Sequence, residues 1–245
     1  MVYEASQTKD DLQPAALARD GTETLTQVAY RAIRSDIIRG VRPPGERLRI
    51  EKLKQIYEIG PTPIREALQK LNAEQLVLSE GNRGFTVAPL DPAEFYDLNI
   101  ARTEVEIAAL KLSIAKGDGA WEARVVAASY TMKKEDDRVA RDATVADSWE
   151  RANAAFHTAM VDACGSRWLL HTRDTLQDLC ERYRRASVRR KGGERDLAGE
   201  HAAIAEAVLA RDAEAACSLT RVHFELTATI LDVEVPPARK ARSKR

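Results

Sequence analysis

The sequence predicts a mainly α-helical chain in two parts: a short helical unit carrying a β-hairpin, then an antiparallel bundle of six helices. Three observations predict it. Apolar residues recur at helical spacing through most of the chain, and β-like runs are confined to residues 76–87. Breakers (Gly117-Asp118-Gly119, Gly165-Ser166 and Gly192-Gly193) divide the long second part into helix-sized pieces.

Residues 1–23 are polar with no sustained period and read as a disordered arm. Leu25, Val28, Ala29, Ala32, Ile33 and Ile37 mark a first helix ending at Gly40. The connection Val41 to Leu48 is expected to pair as a short edge strand. Leu53, Ile56 and Tyr57 form the stripe of a second helix, stopped by Ile59-Gly60-Pro61. Thr62 is expected to cap a third, with Pro63 at its first position and Ile64, Ala67, Leu68 and Leu71 on its inner face. Leu76-Val77-Leu78 and Phe85-Thr86-Val87 then make a hairpin whose Gly/Asn turn carries Arg83 at its tip. Helix, tight turn, helix and hairpin together are a winged helix-turn-helix, predicted over residues 24–90, with its third helix suited to a DNA major groove.

Asp91-Pro92 caps and opens the bundle, predicted over residues 91–234 with helices near 92–116, 119–141, 144–163, 167–191, 195–211 and 213–233. Residues 235–245 form a basic tail, with five basic residues and no acid from Pro236 onward.

The 245 residues carry 38 basic and 38 acidic side chains, so net charge signals no nucleic-acid partner. The distribution is more informative. Between Thr24 and Leu90 stand eleven Lys/Arg against seven Asp/Glu, a mildly basic front unit. No stretch approaches the ~20 apolar residues of a membrane span, and no signal-peptide core opens the chain, so a cytoplasmic protein is expected. Cys164, Cys180 and Cys217 are odd in number, unevenly spaced and set among apolar neighbours, as buried reduced thiols would be.

The chain has four histidines. Asn153 and His157 lie one turn apart on one helix, His201 on a later helix and His223 on the last; all are placed to face the bundle interior. Neutral imidazoles converging from three helices suit a first-row transition metal. Core histidines bonded to carbonyls or carboxylates would show the same pattern. His171 reads as structural.

Thr62-Pro63-Ile64-Arg65-Glu66-Ala67-Leu68, the preceding Pro44-Gly45-Glu46-Arg47-Leu48 and the wing's Asn82-Arg83-Gly84 resemble the signature of GntR-family bacterial transcription regulators. Many members carry arginine where this chain has Pro61. Asn153-Ala-Ala-Phe-His157, Glu200-His201 and His223 resemble the FCD effector domain of the FadR-type branch. The six-helix count is similar to the VanR-like subgroup, and Trp149 to Leu170 and Asp178 to Arg190 to carbon-starvation, glutarate-responsive regulators. The resemblance implies a homodimeric repressor of a pseudo-palindromic double-stranded operator, controlled by a small organic acid. Arg49, Lys52, Thr62, Arg65 and Arg83 are the expected DNA contacts. Asn153, His157, His201 and His223 are the expected ligands of a divalent metal, zinc or nickel. Asn153 stands where aspartate is usual, so its oxygen brings no charge and affinity is expected to drop. Arg102 is the expected partner of the effector carboxylate, a role its guanidinium fork suits; a surface salt bridge to Glu106 is the alternative. Tyr183, with Arg184, is placed at the pocket wall. Two rival functions are a metal-free sensor of a bulkier acyl compound and a metal-dependent enzyme. The enzyme reading lacks a paired general base and leaves the winged unit unexplained.

Overall fold

The computed structural model describes residues 22–79, 84–139, 146–188 and 195–234. The chain divides into two compact units, one ending at Pro89 and one beginning at Leu90.

In the first unit, helix α1 (Leu25–Ile38) opens with a capping box: the Thr24 hydroxyl accepts from the Gln27 amide, and the Gln27 side chain accepts from the Thr24 amide at 2.8 Å. Strand β1 (Arg47–Leu48), helix α2 (Ile50–Tyr57), helix α3 (Pro61–Ala73) and strands β2 (Val77–Ser79) and β3 (Phe85–Val87) follow. The antiparallel sheet has the order β1-β3-β2, with Leu48 opposite Phe85 and Leu78 opposite Thr86. The expected edge strand and hairpin are therefore both formed.

Val28, Ile33 and Ile37 of α1, Leu53 and Tyr57 of α2, and Ile64, Leu68 and Leu71 of α3 make the buried core of this unit. Polar groups are satisfied within it: the Tyr57 hydroxyl donates to Asp36, itself buried, at 2.5 Å.

Two local expectations are corrected. Helix α2 ends one residue before Glu58, which takes the left-handed conformation at φ 52° that turns the chain towards α3. Helix α3 is capped by Gly60, not Thr62. Pro61 has a fixed φ that is already helical and no N–H to satisfy, so it joins the first turn, and the Ile64 amide closes that turn on Gly60 at 3.4 Å. Thr62 becomes an exposed residue of the first turn.

In the second unit, six α-helices lie among the described residues: α4 (Pro92–Lys116), α5 (Gly119–Val139), α6 (Ala146–Val161), α7 (Arg167–Val188), α8 (Leu197–Leu209) and α9 (Ala213–Glu234). A 3-10 turn, Asp162–Cys164, follows α6 and ends at Gly165, φ 69°. Asp91 caps α4 by accepting from the Ala93 amide at 2.9 Å, with Pro92 in the first turn. Helix α4 packs against α6, α7 and α9; α5 against α6 and α8; and α8 against α9.

Leu110, Trp121, Val125, Phe156, Met160 and Val208 belong to the bundle's main apolar core. The buried Trp121 indole donates to the Ala159 carbonyl at 2.9 Å, which satisfies its one polar atom. The three cysteines are free and buried.

Candidate sensor site and nucleic-acid face

Helix geometry brings three of the four histidines together. His157 on α6, His201 on α8 and His223 on α9 are all buried, and each offers a ligand atom within 4.8 Å of the others. Asn153, one turn before His157, is also buried. Phe156 stands 5.2 Å from the His157 ring and 5.1 Å from that of His201, and Phe224 stands 5.3 Å from His157, so the cluster has aromatic walls.

Carboxylates sit behind the imidazoles. His201 Nδ1 lies 2.7 Å from Asp136, His223 Nδ1 lies 2.7 Å from Glu200, and His157 Nδ1 lies 3.7 Å from Glu106. An ionised carboxylate only accepts, so the Asp136 and Glu200 contacts each call for a proton on the facing Nδ1, while at His223 the Arg195 guanidinium also stands 3.2 Å from that nitrogen. His201 Nε2 and both nitrogens of His157 are buried without a hydrogen-bond partner. Burial pushes His157 well below the usual histidine range. Burial likewise takes His223 down to about 3, against the opposing pull of its Glu200 hydrogen bond. Burial works against the Glu200 charge, but hydrogen bonds from Arg195 and His223 outweigh it and hold Glu200 at about 2. Imidazole nitrogens from three helices within 4.8 Å of one another, several of them without another partner among the described residues, are what a divalent transition metal requires, so these residues fit such an ion.

Arg102 on α4 is buried, with its guanidinium 3.9 Å from the centre of the Phe224 ring. Its Nε has no hydrogen-bond partner. Burial, and then the charge of Arg184, lower it to about 10, which leaves it cationic at neutral pH. The surface pairing of Arg102 with Glu106 is not formed. Glu106 is itself buried and accepts from Arg173 at 2.9 and 3.4 Å. The Tyr183 hydroxyl donates to Glu94 at 2.7 Å and accepts from the Asp91 amide at 3.4 Å, and its ring packs 4.8 Å from that of Phe95. Arg184 is buried and donates to Glu150 at 3.0 Å.

Sequence reasoning missed Asp136, Arg173 and Arg195. Asp136 sits in the charged run Lys133 to Arg138, which reads as a solvated face. Arg173, Gln177, Cys180 and Arg184 recur at helical spacing and all are buried; the cysteine in that polar stripe was the one available signal.

On the first unit, Arg47, Arg49, Arg65, Gln69, Gly84 and Phe85 line a groove of about 640 Å³. Arg49 and Arg65 are thus brought together, and Arg47 and Gln69 join them. Lys52 is exposed, its ammonium 3.8 Å from Glu46. Arg83 lies outside the described residues.

Residues 25–87 match the family described as bacterial regulatory proteins, gntR family, and residues 97–226, more than half of the chain, match the FCD domain. The chain belongs to the GntR family, with an FCD domain. This regulator is 36% identical over 222 residues to the HTH-type transcriptional regulator BphR of Paraburkholderia xenovorans (strain LB400), covering 90% of each chain. It is 39% identical over 206 residues to the HTH-type transcriptional repressor GlaR of Escherichia coli (strain K12), covering 82% of this chain and 93% of GlaR. Its fold is that of E. coli McbR/YncC, at TM-score 0.74 and 18% identity, over 86% of this chain and 98% of that one. A GntR transcriptional regulator from Rhodococcus sp. RHA1 has TM-score 0.69 at 25% identity, over 84% and 97%. This regulator is thus a DNA-binding transcription factor with an effector-binding domain. Its relatives are regulators and not enzymes, which ends the catalytic reading of the histidines. No helix among the described residues is long and apolar enough to cross a membrane.

Proposed function

We propose that this regulator is a cytoplasmic repressor. It binds a pseudo-palindromic operator as a homodimer and is controlled by a small carboxylic acid held with a divalent metal inside the bundle. One observation carries the reading: three buried histidines converge on each other while the buried cation Arg102 stands against Phe224, a wall of the same cluster. His157, His201 and His223, with the Asn153 amide oxygen, would hold the ion, zinc or nickel by the imidazole character of the set. The metal would supply a Lewis-acidic partner for one carboxylate oxygen. Arg102 provides the second cationic contact, and its desolvated charge stabilises an anion strongly because no water competes.

On the DNA side, Arg65 and Thr62 open the recognition helix, Arg49 caps α2, and Lys52 and Arg83 supply charge for phosphates. That GlaR is named a repressor supports the sign of control.

The acid acts by preferring one arrangement of the dimer's heads, so coupling must be reciprocal. Calorimetry with the zinc-loaded chain is expected to show acid affinity changing about 5- to 150-fold when operator is added, the usual span of allosteric coupling. Equal affinities with and without operator would remove the reading.

A further inference from the structure

Each of the three clustered histidines has a carboxylate at its back, but the three carboxylates are not equivalent. Glu106 accepts a two-pronged contact from Arg173, and Glu200 accepts one from Arg195 at 2.7 and 2.6 Å, so both charges are already balanced. Among the described residues, Asp136 has no such cation. Its Oδ1 accepts from the Trp149 indole at 2.8 Å and its Oδ2 faces His201 Nδ1 at 2.7 Å. Neither partner is a lysine or an arginine, and the residue is 3% exposed. The neighbouring cation Arg138 pairs instead with Glu135.

A divalent ion held only by three imidazoles and the Asn153 amide would carry its full charge into a buried site. Burying a charge without an opposite one is expensive. We propose that Asp136 is the positioning residue of the metal site: through His201 it supplies the negative charge that Asn153 lacks, and it fixes the ring with Nε2 towards the cluster. The proposal rests on the metal-site reading above. The geometry gives each part of it a cause. Trp149 pins Oδ1, so the carboxylate cannot rotate away. Oδ2 then accepts from Nδ1–H, which leaves the lone pair on Nε2, a buried atom with no partner among the described residues. A carboxylate behind an imidazole makes the ring a more basic ligand. Helices α5, α6 and α8 are joined in one chain of contacts from Trp149 through Asp136 to His201.

The test measures zinc affinity of the chelator-stripped full chain against a chromophoric competitor, beside the unfolding temperature of the metal-free protein. Asp136→Asn is expected to weaken zinc by about 10- to 100-fold, the range for lost outer-shell partners. Asn153→Asp is expected to tighten it. In the Asn153→Asp background the penalty of Asp136→Asn should shrink, because a carboxylate then stands one turn before His157. A purely structural Asp136 would lower the metal-free unfolding temperature and leave the zinc constant alone, and that result overturns the proposal. Loss of zinc in His201→Ala but not in Asp136→Asn overturns this role while sparing the metal site. Wild type and His201→Ala binding zinc equally weakly overturns both. Should Asp136→Asn fail to fold, ring-nitrogen NMR of the wild-type metal-free chain decides. A protonated Nδ1 on His201 is expected, and a proton on Nε2 instead overturns the proposal.

Discussion

Arg65 and Lys52 each carry one positive charge on an exposed position of the DNA-reading unit, but their chemistry assigns them different work. Arg65 lines the groove with Gln69 one turn on, and its planar fork matches the two acceptors that guanine shows in a major groove. Lys52 is a compact ammonium near Glu46, suited to a phosphate as a point charge. Arg65→Ala is expected to cost ~1–3 kcal/mol on the operator and to relax preference at one base position. Lys52→Ala should weaken operator and random DNA alike and lower the salt slope by about 1. Anisotropy titrations on both DNAs separate the two, and an equal loss on both for Arg65→Ala would refute its base-reading role. Arg65 was legible in the sequence because a motif and a helical register agree there. His157, His201 and His223 were legible as interior positions on separate helices. Asp136 was not, because burial of a charge depends on which helices close over it, and Lys133 to Arg138 gives no hint of that closure.

Among the elements, α3 depends most completely on its packing. Proline occupies both ends of its first turn at Pro61 and Pro63, so two early amide donors are absent and little local hydrogen bonding defines the start. What holds it is the inner face: Ile64, Ala67, Leu68 and Leu71 are all fully buried and pack towards α1 and α2. Leu68→Ala should therefore cost roughly 2–5 kcal/mol through lost transfer energy and the cavity left behind. Urea unfolding is expected to show an earlier transition for the front unit, with operator binding lost and zinc binding by the bundle retained. A loss under about 1 kcal/mol would mean that the site collapses to fill the space. Helical periodicity made these elements readable, including the start and end of α4 at Pro92 and Lys116, because amphipathic spacing and capping act within a few residues. Ends that depend on single backbone conformations were harder. Glu58 turns left-handed without being glycine, and Gly60 caps α3 although Thr62 is the better capping residue by type. Pro61 decides that contest, since a fixed φ outweighs a side-chain preference.

For the molecule as a whole, each chain carries a single winged unit, whereas the pseudo-palindromic operator proposed above would present two half-sites about 10 base pairs apart. The two-headed binding proposed above calls for a second copy, and the bundle displays a surface suited to one. Ile100 on α4 is 51% exposed, and Val222 and Leu226 on α9 are 49% and 41% exposed; these two helices pack against each other and are tied by Arg221 to Glu104 at 2.8 Å. Tyr96, one turn before Ile100, adds a further exposed ring. Exposed apolar side chains on adjoining helices, bordered by an ion pair, would suit a two-fold interface, in which each residue meets the same patch on the other copy. Introducing a charge there puts like charges opposite one another across the axis, a cost that a monomer avoids. The double variant Ile100→Glu, Leu226→Glu is expected to sediment as a monomer at micromolar concentration and to keep zinc binding, since both side chains face solvent whereas the histidines are buried. Its operator affinity should drop to that of a single head on a single half-site, with the dependence on half-site spacing lost. A variant that remains dimeric would place the interface on another face of the bundle, and a wild-type chain that sediments as a monomer on its operator would remove the two-fold scheme altogether.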